Sequence, residues 1–333
     1  MPDDARRDES ELLVRIAHRY WVDELTQEEI AREFVLSRPK VQRLLDRARA
    51  TGIVEIRVQT PSWLRLDLER ELRTTFGLVD AIVAPERPDA AGQRDAVALV
   101  AAQYLERRLA DGMVVAVSHG RDAGRVPPYF RTRRPVAATF VPAMGGSPHV
   151  EAPTNPDEIA RALAERCGGR SVPLFAPAYL ESREARDVLV GQATVAHALG
   201  LAARADMALA GIGGTDDGCT MVRSGSLSVA EMAVLRDRGA VGDLAGNYVD
   251  VDGRPVASAH RDRLVALSLE ELRAINCVIA VASEPEKPMA ILGTLRSGVI
   301  DVLIVDPANA RAVLDLAAGS APPALPIVTN AAR

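Results

Sequence analysis

Seven short apolar runs, mostly separated by helical patterns, constrain this chain more than any other feature. They lie at 79–84, 113–117, 136–142, 172–176, 207–212, 277–282 and 299–305. Helical spacing of apolar residues marks 92–109, 156–167, 183–204, 228–238, 268–275, 286–297 and 307–317. The runs are too short for core helices, and most are nearly continuous in Val, Ile, Leu and Ala rather than alternating with polar residues. A strand buried on both faces reads this way, and such strands belong to a largely parallel sheet with helices on either side. The expected fold class is therefore α/β.

The first 60 or so residues follow another pattern. In "ESELLVRIAHRYW" (residues 9–21), Leu12, Leu13, Ile16, Ala17 and Tyr20 fall at helical spacing. Thr26 and Glu29 in "TQEE" form a capping box, in which the Thr hydroxyl takes the amide of the third helical residue and the Glu reaches back. A short helix follows and breaks at "VLS" (residues 35–37). Ser37 is placed to cap a third helix, with Pro39 tolerated in a first turn whose amides lack intrahelical partners. That helix ends at Thr51 and Gly52, where Gly suits a left-handed cap. "IVEIRV" (residues 53–58) alternates like a strand and is expected to form a wing, followed by a joint at Gln59–Trp63. A helix at 64–76 places Leu68, Leu72 and Phe76 along one side. It serves either as a seam between copies or as a helix packed on its own domain.

Charge separates the two parts. The chain of 333 residues carries a net charge of −5, which excludes a uniformly basic nucleic-acid surface but not a local one. The third helix holds five basic residues, Arg38, Lys40, Arg43, Arg47 and Arg49, against the single acid Asp46. With Val41, Leu44, Leu45 and Ala48 turned inward, the outer face presents Arg38, Lys40, Gln42 and Arg43. Such a helix fits the major groove, where Arg pairs with guanine and Gln with adenine. Arg47 and Arg49 are better placed for phosphates, which set affinity rather than sequence. The expected DNA-facing set is Gln27, Ser37, Arg38, Pro39, Lys40, Gln42, Arg43 and Arg47. Cys167, Cys219 and Cys277 are far apart and odd in number, which argues against a disulfide framework or zinc site. "MPDDARRDESELL" lacks an apolar signal core, and no apolar run approaches a membrane span. A soluble protein of the reducing cytoplasm is expected, with no membrane partner.

"YWVDELTQEEIAREFVLSRPKVQRLLDRARATGIVEIRV" (residues 20–58) resembles the winged helix-turn-helix of the SorC/DeoR-type sugar-binding transcriptional regulators. The resemblance continues through "ADMALAGIGG" (205–214), "RDRGAVGDLAGNYVDVDGRPV" (236–256) and "KPMAILGTLRSGVIDVLIVDPANARAVL" (287–314). The two later blocks are the specific ones. The resemblance implies a small winged helix-turn-helix domain at 1–59, a linker or oligomerisation helix at 60–77, and a larger effector domain at 78–333. The last would be Rossmann-like, similar in fold to sugar-phosphate isomerases and CoA-transferase subunits. The implied partners are palindromic operator DNA and a sugar, polyol or sugar-phosphate effector, in a homo-oligomer, commonly a tetramer. No cofactor and no enzymatic activity are implied.

For the effector, the family's Ser-x-Gly-Arg loop matches Ser118, Gly120 and Arg121. Asp122 stands where the family usually has Thr, and His119 where it usually has an aromatic residue. A carboxylate there repels phosphate but accepts hydroxyls, which favours an uncharged sugar or polyol and leaves the phosphate ester open. Gly211 and Gly213 allow close approach of backbone to a ligand. Asp243 is the foremost hydroxyl acceptor, with Asn247 and Asp250 in the same block, and Lys287 matches a family lysine that reaches the ligand. A metal site is not expected from the scattered histidines. The competing readings are a sugar-phosphate isomerase-like enzyme with an appended DNA-binding segment, and a DNA-binding assembly protein without ligand. No recognisable acid/base pair, "HExxH" or Walker-type loop supports the enzyme.

Overall fold

The computed structural model describes residues 2–55, 64–147, 154–284 and 287–319. The chain divides into two compact units, Met1–Pro61 and Ser62–Arg333.

In the first unit lie α1 (Pro2–Trp21), α2 (Gln27–Glu33) and α3 (Arg38–Ala50). The capping box at α2 is present: the Glu29 amide donates to Thr26 Oγ1 and the Thr26 amide donates to Glu29 Oε2. Ser37 occupies the cap position of α3, but its side chain makes no capping hydrogen bond, contrary to expectation. Ile16, Ile30, Val41, Leu44, Leu45 and Ala48 from the three helices form one small core. Residues 53–55 carry no strand. The rest of the expected wing, 56–58, and the joint at Gln59–Trp63 lie outside the described residues.

The turn between α2 and α3 is held by the Leu36 amide donating to the Ala31 carbonyl at 2.8 Å. This closure needs a left-handed residue, and the sequence puts Val35 there, at φ 54° and 90% exposed. A β-branched side chain in that region is strained, and its exposure leaves little packing to lose. Val35→Gly is expected to stabilise the first unit by about 1 kcal/mol, read as a higher midpoint in urea unfolding.

The second unit begins with α4 (Leu66–Phe76). Leu72 is fully buried, and Leu68 and Phe76 pack against the main core of this unit. Glu69 also accepts the Val83 amide at 3.0 Å. Within the chain, Leu68, Leu72 and Phe76 pack on their own domain.

The strands are β1 (Asp80–Val83), β2 (Val114–Val117), β3 (Thr139–Pro142), β4 (Arg170–Ser171), β5 (Met207–Gly213), β6 (Gly242–Leu244), β7 (Asn247–Val249), β8 (Val278–Ala282) and β9 (Val302–Val305). Seven form a parallel sheet in the order β1-β9-β8-β5-β2-β3-β4. Alternate residues feed two cores: Val115, Val117, Leu209, Ile279 and Val281 on one face, Ala116, Ala208, Ala210, Val278 and Ala280 on the other. Burial on both faces explains the unbroken apolar runs.

Two expectations for the second unit fail, and one hairpin is absent from the sequence reading. The run at 172–176 is not a strand. Leu174 is buried but Phe175 is exposed, and the edge strand sits just before, at Arg170–Ser171. The helical pattern at 183–204 divides into Arg183–Val190 and Ala193–Ala202 around Gly191. The β6–β7 hairpin was not read as strands at all. Its two-residue turn, Ala245 and Gly246, has positive φ at both positions, as primed hairpin turns require, and β6 pairs antiparallel with the end of β5.

Candidate functional site

Strand order places the site. From β2 the chain moves outward to β3 and β4, then returns to β5 on the other side of β2 and continues through β8 to β9. The order reverses between β2 and β5, and in open α/β sheets the crevice beyond the carboxyl ends of such strands takes the ligand. Gly120, after β2, has φ 135°, and a Cβ built there would lie 3.5 Å from the Gly211 Cα of β5. Both glycines let these two segments meet.

Six side chains from three distant segments converge beyond β2 and β8. Asp122 is 1% exposed and Glu284 is 3% exposed. Ser283 donates through its Oγ and its amide to Asp122. Lys287 Nζ lies 3.2 Å from Asp122 Oδ2 and 2.9 Å from Glu284 Oε2. Arg121 Nη2 donates to Glu284 Oε2 at 2.8 Å, and Arg94 Nη2 donates to Glu284 Oε1 at 3.1 Å. Burial disfavours the Lys287 ammonium, but the Asp122 and Glu284 carboxylates outweigh it and hold its pKa above the ordinary value. Asp122 was expected to receive effector hydroxyls. Its oxygens are instead engaged by Ser283 and Lys287.

Asp243, on β6, stands apart from that network. It is buried, and Oδ2 accepts the Gly246 amide of the hairpin turn at 2.8 Å. A Cβ on Gly213 would lie 1.8 Å from Asp243 Oδ1, so the carboxylate lies directly on the β5 backbone. Burial pushes the Asp243 carboxyl above its ordinary value of 3.8, only partly countered by His119, the Gly246 amide and Lys287. A carboxyl raised in the folded state favours folding while protonated. That contribution is present below 3.8 and lost as pH rises through the raised value. Ionised Asp243 therefore costs stability at neutral pH, the usual mark of a residue kept for function. Asp243→Asn is expected to raise stability at pH 7 by about 1 kcal/mol, with the gain shrinking toward pH ~4; calorimetry across that range checks it.

A small cleft opens among His119, Met144, Gly145, Gly146, Ser147, Thr154, Asn155, Thr220, Met221, Ser224 and Ser226. Among its described lining residues none carries a formal charge at neutral pH apart from what His119 contributes. His119 is buried, and burial holds its pKa below the ordinary value, favouring the neutral ring. Its Nδ1 lies 2.8 Å from Met144 Sδ, and Ser118, also buried, donates toward the same sulfur at 3.7 Å.

Thus Ser118, Gly120, Arg121, Asp122, Gly211, Gly213, Asp243 and Lys287 gather around the carboxyl ends of β2, β5 and β8. Asn247 and Asp250, from the same block, make hydrogen bonds to the backbone around them. Asn247 is buried and donates to the carbonyls of Leu244, Ala245 and Leu267, tying down the hairpin. Asp250 accepts the Asp252 and Arg254 amides and shapes a turn. Arg94 and the hydroxyl-bearing residues of the cleft were missed. They sit in helices and loops with no local motif, and only the strand order brings them here. Glu284 had a usable signal, since it follows directly on an apolar strand.

In the first unit Arg38, Pro39, Lys40, Gln42, Arg43 and Arg47 are all exposed along α3. Gln27 donates to Gln42 Oε1, and Gln42 donates in turn to Asp46 Oδ1 at 3.0 Å. The Gln42 amide is thereby held outward rather than free to rotate. Arg49 lies 5.3 Å from the Trp21 ring centroid and braces α3 against α1.

Residues 63–315 match the family model Sugar-bind, a sugar-binding domain. The chain is 31% identical over 317 residues to the transcriptional regulator LsrR of Klebsiella pneumoniae, covering 93% of this chain and 94% of that one. It is 28% identical over 312 residues to the deoxyribonucleoside regulator of Bacillus subtilis, covering 93% and 99%. Among solved structures, the full-length sorbitol operon regulator SorC from Klebsiella pneumoniae superposes with a TM-score of 0.71 at 27% identity, over 92% of this chain and 99% of that one.

Proposed function

Since the chain belongs to the SorC/DeoR-type family of sugar-binding transcriptional regulators, we propose that it regulates genes of carbohydrate or polyol metabolism under the control of a small effector. The first unit acts as a winged helix-turn-helix and the second as the sensor, without enzymatic turnover. The effector is a sugar, a polyol or a sugar phosphate. It binds beyond the carboxyl ends of β2, β5 and β8, with Asp243 accepting its hydroxyls. The observation that supports this reading is Asp243 itself, a buried carboxylate laid against the carboxyl end of β5, close to where the strand order reverses.

On the DNA side, α3 enters the major groove. Arg38, Lys40, Gln42 and Arg43 face base edges, while Arg47, Ser37 and Gln27 lie toward the backbone. Copies of the chain assemble as a homo-oligomer, commonly a tetramer in such regulators, on palindromic operators in the cytoplasm. Effector binding changes how subunits pack and so the spacing of paired recognition helices. A coupling of about 1–3 kcal/mol suffices for a 5–150-fold change in operator affinity.

The test is selection of binding sites from random duplexes by the full-length protein. The wild type is expected to enrich a palindrome. Arg43→Ala is expected to relax preference at one base position in each half-site by roughly 10–100-fold, with its circular dichroism unchanged. Unaltered enrichment by that variant would remove α3 from base recognition. Turnover of a pentose or hexose phosphate would instead revive the isomerase-like alternative.

A further inference from the structure

The cations gathered beyond β2 and β8 are the groups an anionic effector would meet. Arg94, Arg121 and Lys287 converge from three segments, and guanidinium and ammonium groups so gathered ordinarily take a phosphate. Here their partners are part of the chain. Glu284, 3% exposed, lies within ion-pair distance of all three, and Asp122, 1% exposed, lies 3.2 Å from Lys287 and 3.6 Å from Arg94. Ser283 holds Asp122 in place through two hydrogen bonds. Three positive charges face two buried negative ones. A phosphate monoester brings close to two more negative charges, which would turn a small positive excess into a negative one in a poorly solvated place.

We propose that the effector is an uncharged polyhydroxy compound, a free sugar or polyol, and that Asp122 and Glu284 are built-in replacements for an anionic group that exclude phosphorylated ligands. This rests on reading the second unit as an effector sensor. A polyhydroxy compound without charge leaves these ion pairs intact. Asp243, on the β6–β7 hairpin, supplies the acceptor for a pair of adjacent hydroxyls.

The proposal is tested by isothermal titration of the full chain with inorganic phosphate, comparing wild type with Asp122→Asn/Glu284→Gln. The wild type is expected to bind phosphate more weakly than about 10 mM, and the folded double variant at least tenfold more tightly. Glu284→Gln alone, which keeps the Asp122–Lys287 pair, is expected to gain in the same direction and serves if the double variant does not fold. No gain in any folded variant would mean that the cations do not form an anion site, and would overturn the proposal. Wild-type thermal shifts with pentoses, hexoses and polyols against their phosphates give a second measurement. A shift from a neutral compound but not its phosphate supports the proposal. Tenfold tighter binding of a phosphate ester than of its parent sugar overturns it. If neither class shifts a protein that still enriches an operator, the ligand class is wrong and the regulator stands. Failure of operator enrichment instead counts against the regulator, whatever the phosphate titration gives.

Discussion

Replacing Lys287 with Met is expected to lower the stability of the second unit by about 3 kcal/mol. The ammonium is buried between two carboxylates, at 3.2 Å from Asp122 and 2.9 Å from Glu284. Removing one partner of a buried pair leaves uncompensated charge, which costs about 3–5 kcal/mol. The lower end applies because Glu284 keeps Arg94 and Arg121, and Asp122 keeps Ser283. In the wild type the pKa of Lys287 is raised above its ordinary 10.5. Its contribution is therefore fully present below that value and lost only as pH rises through the raised one. The deficit of Lys287→Met, measured by urea unfolding, should accordingly be constant between pH ~6 and ~9. A variant as stable as the wild type would show that the ammonium is not held in this network.

Gly213→Ala is expected to have a comparable effect by a steric route. The new Cβ would fall 1.8 Å from Asp243 Oδ1, closer than any real contact, so the carboxylate or the β5 backbone must move. Overpacking a filled interior costs about 1–3 kcal/mol. Displacing Asp243 also breaks its bond to the Gly246 amide, leaving buried polar groups unpaired for about 1–3 kcal/mol more. A loss of about 3 kcal/mol is expected by urea unfolding, together with loss of the effector response, since the same movement withdraws the proposed hydroxyl acceptor. The two consequences separate in Asp243→Asn, which is expected to lose the response while gaining stability. A Gly213→Ala variant with wild-type unfolding and wild-type effector response would show that Asp243 does not rest on the β5 backbone.

Much of the layered architecture was legible because the signals are local. Ala116 and Val117, neighbours on β2, end in different cores, and a strand buried on both faces has no choice but an unbroken apolar run. Thr26 and Glu29 announce the start of α2 through a contact three residues long. Where local signals mislead, the cause can be named. "VPLFA" at 172–176 has the composition of a strand, but Phe175 is left exposed beyond the short edge strand β4. The β6–β7 hairpin escaped because its turn puts Ala245, not Gly or Asn, in the first left-handed position.

The sequence by itself determined most of the segments that become strands and helices, which faces are apolar, and that one basic helix stands out from an acidic chain. Each follows from side chains within a few residues of one another. Only the tertiary structure decided what the site residues do. Asp122 meets Ser283 and Lys287 from 161 and 165 residues away, and Arg94 meets Glu284 across 190. Those distances are closed by strand order, which sets β2 beside β5 and β5 beside β8. Periodicity cannot state that order, because the same alternation of strands and helices is compatible with several arrangements of the sheet. A carboxylate whose partners lie in another loop thus reads, from sequence, as a free ligand group. The fold makes Asp122 a counter-ion of Lys287 and sets Asp243 against the β5 backbone and the hairpin turn.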